Sequence, residues 1–222
     1  MASTNTFLDR IPPVTRSLLI INVIMFVATL ANEDFMIRTF AMFYPVSPLF
    51  RWWQPLTHMF MHGGWWHILF NMYTLVMFGM VVERALGTKK FLILYFVTGL
   101  GAVALHTGVE WLDIHRLAAS ASPTAQTDII DMLRTPMVGA SGAIYGVLVA
   151  FAMLYPEARM TLIFPPVTLD AKWMVIIFVG IELLTGITGT QVGIAHFAHL
   201  GGALFGFLLI LYWRKRGELW RR

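Results

Sequence analysis

Gly139-Ala140-Ser141-Gly142-Ala143-Ile144-Tyr145-Gly146 lies in a stretch without Lys, Asp or Glu from Thr135 to Tyr155. A serine among glycines at the head of an apolar run has two readings. Either small side chains let two helices approach closely, or the hydroxyl does chemistry. The rest of the chain decides between them.

The 222 residues are 58% hydrophobic and only 13% charged, with a mean hydropathy of +0.70. Soluble domains carry about 25% charged residues. The composition therefore predicts an all-α polytopic membrane protein in contact with a lipid bilayer. The net charge of +4 does not point to nucleic acid, because the basic residues sit at the ends of apolar runs rather than in a patch with interleaved aromatics. The absence of cysteine excludes disulfides, thiolate metal sites and a cysteine nucleophile.

Apolar runs long enough to approach or cross a bilayer core of about 30 Å lie at 17–31, 65–82, 91–109, 139–155, 173–187 and 194–213. They predict a bundle of six transmembrane helices over 16–213, with a short tail at 1–15 and a basic tail at 214–222. Arg10 and Arg16 before the first run, and Ala28-Thr29-Leu30-Ala31 near its end, also fit a signal peptide. Five further runs make a retained signal-anchor the simpler reading. If the N-terminus is cytoplasmic, twelve of the sixteen Lys and Arg residues fall on that side and four on the other. The positive-inside rule thus places both termini in the cytoplasm. Loops 32–64 and 110–138 and the link 188–193 then face outward. The first, rich in Trp, Phe, Met and Pro, reads as interfacial. The second, Arg116 to Asp128, reads as a flexible surface loop. No internal repeat suggests an inverted-repeat transporter.

Polar side chains inside such spans are costly, so each is a functional candidate. They are His67 and Asn71 in the second helix, Ser141 in the fourth, Glu182 in the fifth, and His196 and His199 in the sixth. His106 reads as reaching only the interface. The second, fourth and sixth helices all run inward from the outer side, which puts His67, Asn71, Ser141, His196 and His199 at one depth. His67 and Asn71 share a helix face, as do Ser141 and Tyr145. His199 shares a face with Gly202 and Gly206, whose spacing favours close helix approach. If that face meets Gly142 and Gly146, Ser141 and His199 come within hydrogen-bond reach. From Gly139 to Tyr155 is about 26 Å of helix, less than the core thickness, so the fourth helix is expected to start below the outer surface. Irregular backbone at that depth belongs beside a water-filled cavity.

A serine needs a base to attack at neutral pH, and histidine suits that role. Donors for a tetrahedral oxyanion are available from His67, Asn71 and the Ser141 N–H. Each residue also has a plainer reading: helix contact for Ser141, interhelical bonding for His67 and Asn71, core packing for Tyr145. Glu182 reads as deeper on its helix and as a satisfied structural group, not as the partner of His199. His58, His62 and His67 lack acidic partners and are a weak metal set, so no metal or cofactor is expected. A soluble esterase elbow is not matched, since Ala143 replaces its second glycine and no strand precedes it.

Together these residues resemble the rhomboid intramembrane serine proteases, over about 15–213. Gly139-Ala140-Ser141-Gly142 resembles the family's G-x-S-G, which implies Ser141 as nucleophile. Ala198-His199-Leu200-Gly201-Gly202 to Gly206 resembles the sixth-helix motif. It implies His199 as general base, leaving His196 a supporting role. His62 to Asn71 resembles H-x-x-x-x-H-x-x-x-N, implying His67 and Asn71 for the oxyanion. Tyr145 matches a tyrosine that stacks on the catalytic histidine, and Glu83-Arg84-Ala85-Leu86-Gly87 matches a motif at the inner end of the second helix. Trp53-Gln54 departs from the family's frequent W-R, so the first loop is expected to be anchored differently. The resemblance implies single-pass membrane proteins as substrates and a bacterial cytoplasmic membrane as the location. Two alternatives stay open: a non-catalytic relative that binds or escorts membrane clients, and a channel or transporter with a polar cavity.

Overall fold

A computed structural model of the chain describes residues 7–162, 166–188 and 196–219. Most of the link 188–193, the start of the last apolar run and parts of both tails lie outside these residues. The chain is helical, with α1 (Pro13–Ala31), α2 (Glu33–Phe40), α3 (Gln54–Thr57) and α4 (Trp65–Thr74) in order. A π-helical turn (Leu75–Gly79) joins α4 to α5 (Met80–Leu86) as one rod. Then come α6 (Thr88–Ala118), α7 (Ala125–Arg134) and α8 (Ser141–Leu154). A small antiparallel hairpin, β1 (Arg159–Thr161) with β2 (Thr168–Asp170), leads to α9 (Ala171–Thr188) and α10 (His196–Lys215).

Five of these rods are long and apolar enough to cross a membrane: α1, the α4–α5 rod, α6, α9 and α10. The expectation of six spans is met in part. The serine-bearing α8 has 14 residues, about 21 Å, shorter than the sequence suggested. It is also the most enclosed helix, with every residue from Gly142 to Ala152 buried except Tyr145. The other rods expose Ile24 and Val27 on α1, Phe70 and Tyr73 on α4, and Leu184 and Ile187 on α9. Such apolar surface suits lipid as solvent.

Glycine builds the centre, where α6, α8 and α10 pack most closely. A Cβ at Gly202 would lie 1.8 Å from the carbonyl oxygen of Gly142, and one at Gly206 would lie 2.8 Å from Cα of Gly146. On the third side, a Cβ at Gly201 would meet the carbonyl of Gly101 at 2.6 Å. The two glycine faces, left as a condition by the sequence, meet backbone against backbone.

Polar groups tie the ends. Glu83, buried in the E-R-A-L-G motif, accepts from the N–H groups of Val14 and Thr15 and from the Thr15 hydroxyl at 2.7–3.0 Å. It thereby satisfies N–H groups that the first turn of α1 leaves free. Arg214 on α10 reaches the carbonyl of Met153 near the end of α8.

One loop expectation changes. The segment read as a flexible loop, Arg116 to Asp128, holds the end of α6, which runs on to Ala118, and the first turn of α7, a helix packed beside it. Its polar and apolar residues alternate with helical period, a signal masked by the Ser/Pro-rich stretch before it. In the first loop Gln54 is fully buried. Its side-chain N–H groups donate to the carbonyls of Arg38 and Leu49, and its Oε1 accepts from the N–H of Arg51. A neutral amide thus anchors this loop from within.

Candidate active site

Ser141 is the first residue of α8. The chain before it is pinned on two sides. Met42 and Met137 exchange both backbone hydrogen bonds, at 2.8 and 2.9 Å, and the Gly139 N–H donates to the His58 carbonyl at 3.0 Å. Gly139 turns with φ 129°, a conformation open to glycine. The N–H groups of the first turn of α8 have no acceptor within the helix.

His199, in the first turn of α10, meets this serine, with Nε2 2.7 Å from Oγ. The Tyr145 ring lies flat on the imidazole, centroids 4.6 Å apart and planes 8° from parallel. The Gly142–Gly202 contact sets this approach, since any side chain between those backbones would hold the two helix heads apart.

His67 and Asn71 approach from α4. The Gly63 N–H donates to His67 Nδ1 at 3.3 Å, so the ring proton sits on Nε2. That atom would stand 2.8 Å from a Cβ at Gly139, and Ser141 Oγ would stand 3.5 Å from the same point. Asn71 donates to the His67 carbonyl at 3.0 Å, leaving the rest of its amide to the cavity. His67, Asn71, Ser141, Tyr145 and His199 all line one cavity of about 1100 Å³. Trp66, Phe70, Leu148 and Phe178 form its apolar walls. In the loop outside the spans, burial pushes His58 down to about 4 and His62 to about 3, so both imidazoles are neutral. Among the described residues, no group of three or more His, Asp or Glu is arranged to hold a metal.

Two expectations are overturned. His106 is not confined to the interface; it lines the same cavity, its Nε2 3.6 Å from Glu110 Oε1. Because α6 continues to Ala118, His106 falls inside the span rather than near its end. Glu182 is not remote from the histidine. Its Oε1 lies 2.9 Å from His199 Nδ1 and accepts from the Tyr145 hydroxyl at 2.6 Å. Its Oε2 lies 2.6 Å from His196 Nδ1. Glu182 is six residues from the C-terminal end of α9, or about 9 Å along the helix. An acid counted down from its own helix end, like the other candidates, would have shown this.

A helical membrane protein with a serine and a histidine joined at the floor of a large cavity defines the class. A family model described as the Rhomboid domain matches residues 49–216, and the chain belongs to the rhomboid family. It is 28% identical to Rhomboid protease AarA of Providencia stuartii, over 81% of this chain and 62% of that protein. It is 33% identical to RHOMBOID-like protein 12, mitochondrial, of Arabidopsis thaliana, over 78% and 49%. With Presenilin-associated rhomboid-like protein, mitochondrial, of Bos taurus the identity is 31%, over 72% and 39%. The chain thus spans about half the length of the curated relatives it matches.

Proposed function

We propose that this chain is a serine endopeptidase that cleaves transmembrane segments of single-pass membrane proteins, with Ser141 as nucleophile and His199 as general base. The observation that carries the reading is the 2.7 Å contact between His199 Nε2 and Ser141 Oγ, opening on a cavity large enough for an unwound peptide. The relative from Providencia stuartii bears the name protease, which supports the same class of reaction.

Oγ attacks the peptide carbonyl carbon as its proton passes to Nε2. The developing oxyanion is met by the Ser141 N–H at the head of α8, the Nε2–H of His67 and the free amide proton of Asn71. Collapse of the tetrahedral intermediate breaks the C–N bond, and His199 gives its proton to the leaving amine. A water deprotonated by His199 then attacks the acyl ester and frees Ser141. Trp66 and Phe70 on α4 and Phe178 on α9 give the cavity apolar walls, which suit a segment arriving from lipid. A helix shields its amides, so segments of low helix propensity unwind into the cavity most readily.

In this reading the five long rods and the shorter α8 all act as spans, and both termini face the cytoplasm. A bacterial cytoplasmic membrane is the proposed location, although relatives also carry mitochondrial and chloroplastic names.

The test is cleavage of a reporter transmembrane segment by purified protein in detergent. Turnover is expected to fall at least about a thousandfold in Ser141→Ala and in His199→Ala, and a fluorophosphonate is expected to label Ser141 in the unaltered chain. Undiminished cleavage by Ser141→Ala overturns the reading. Client binding without cleavage by the unaltered chain would favour an escort protein instead.

A further inference from the structure

We propose that Glu182 is the positioning residue for His199, extending the pair to a serine–histidine–glutamate triad across α8, α10 and α9. The inference rests on the protease reading above and adds a residue to it. The imidazole sits between two partners, with Ser141 Oγ 2.7 Å from Nε2 and Glu182 Oε1 2.9 Å from Nδ1. The acid is itself held, because the Tyr145 hydroxyl donates to Oε1 and His196 Nδ1 to Oε2, each at 2.6 Å. Thr185 Oγ1 lies 3.2 Å from the same His196 nitrogen. Tyr145 therefore does two things at once. Its ring fixes the plane of His199, and its hydroxyl fixes the acid beside that ring.

A neutral imidazole carries one proton. Beside a carboxylate that proton belongs on Nδ1, which leaves the Nε2 lone pair facing Ser141. The other tautomer would turn Nε2–H toward the hydroxyl and disable the base. When the serine proton moves to Nε2, His199 becomes a cation, and an adjacent carboxylate in a low-dielectric site stabilises it more than water would. Glu182 accepts no proton in this scheme. In this structure Nδ1 lies 2.9 Å from Oε1 without an in-line hydrogen bond, and the scheme requires the two to align as the imidazolium forms. The plainer role, a clamp joining α9 to α8 and α10, uses the same contacts. The two roles differ in what they predict.

The experiment compares the full chain with Glu182→Gln and Glu182→Asp in detergent, measuring kcat, KM and thermal midpoint on the reporter segment, with Ser141→Ala alongside. Glu182→Gln is expected to keep KM within about twofold while kcat falls on the order of 10- to 1000-fold. Glu182→Asp is expected to restore at least about tenfold of that loss, because it returns the charge. In 15N-histidine-labelled protein, a downfield proton on Nδ1 is expected, lost in His199→Ala and in Glu182→Gln. Unchanged kcat in Glu182→Gln overturns the proposal. So does an equal loss in Gln and Asp that tracks a fall in thermal midpoint, which is the signature of a clamp. A His199 proton found on Nε2 in the unaltered chain overturns it even if neither variant folds. Inactive Ser141→Ala with fully active Glu182→Gln rejects only the Glu182 assignment, whereas active Ser141→Ala removes the protease reading beneath it.

Discussion

At the scale of the residue, the site is made by atoms that are absent as much as by those present. Gly139 has φ 129°, and a Cβ there would press on His67 Nε2 at 2.8 Å. Gly139→Ala combines backbone strain with that contact and is expected to cost about 1–3 kcal/mol. A reporter assay should show kcat falling more than KM rises, because the donor and the nucleophile are what move. Glu83 works differently. It accepts three hydrogen bonds at the start of α1 and lies outside the residues that line the cavity. Glu83→Gln turns an amide NH2 toward those donors and is expected to lower stability by about 1–3 kcal/mol, read as a lower thermal midpoint, with KM unchanged. Gln54 carries a comparable burden in the first loop, where its three bonds have no water to replace them.

At the scale of the element, α8 is held in place by what flanks it. At 14 residues it is shorter than the rods around it, and its serine end packs against α10 through glycine. Gly202→Ala would drive a methyl into the Gly142 carbonyl, 1.8 Å away, and backbone has no rotamer with which to escape. The expected loss is about 1–3 kcal/mol, together with a marked drop in cleavage as Ser141 and His199 part. Gly180 on α9 is the matched control. It is exposed, a Cβ there meets nothing within 4 Å, and Gly180→Ala is expected to change stability by no more than about 0.5 kcal/mol. Thermal melts and reporter cleavage on the pair separate crowding from any general effect of removing a helical glycine.

At the scale of the whole molecule, the proposed orientation rests on the Lys and Arg asymmetry. The chain has no cysteine, so single cysteines report topology without background. Ser122, between α6 and α7, and Lys89, at the start of α6, are both exposed. On intact cells a membrane-impermeant maleimide is expected to label Ser122→Cys, and to label Lys89→Cys only after the membrane is opened. The reverse pattern would invert the bundle and move the cavity to the cytoplasmic side.

Much of this was written in the sequence. The apolar runs, the lysine and arginine asymmetry, and the spacings His67–Asn71, Ser141–Tyr145 and Gly202–Gly206 are properties of one segment at a time, so they can be read without a partner. They were enough for the family and for the meeting of Ser141 with His199. Three things were not legible. The helix in the second outer loop was masked by the Ser/Pro-rich stretch ahead of it. His106 entered the cavity because α6 continued past the apolar run that marked it. Glu182 reached His199 because the offset between neighbouring helices depends on where each one starts. No spacing along a single helix records that offset; the packing of α8 against α9 and α10 sets it.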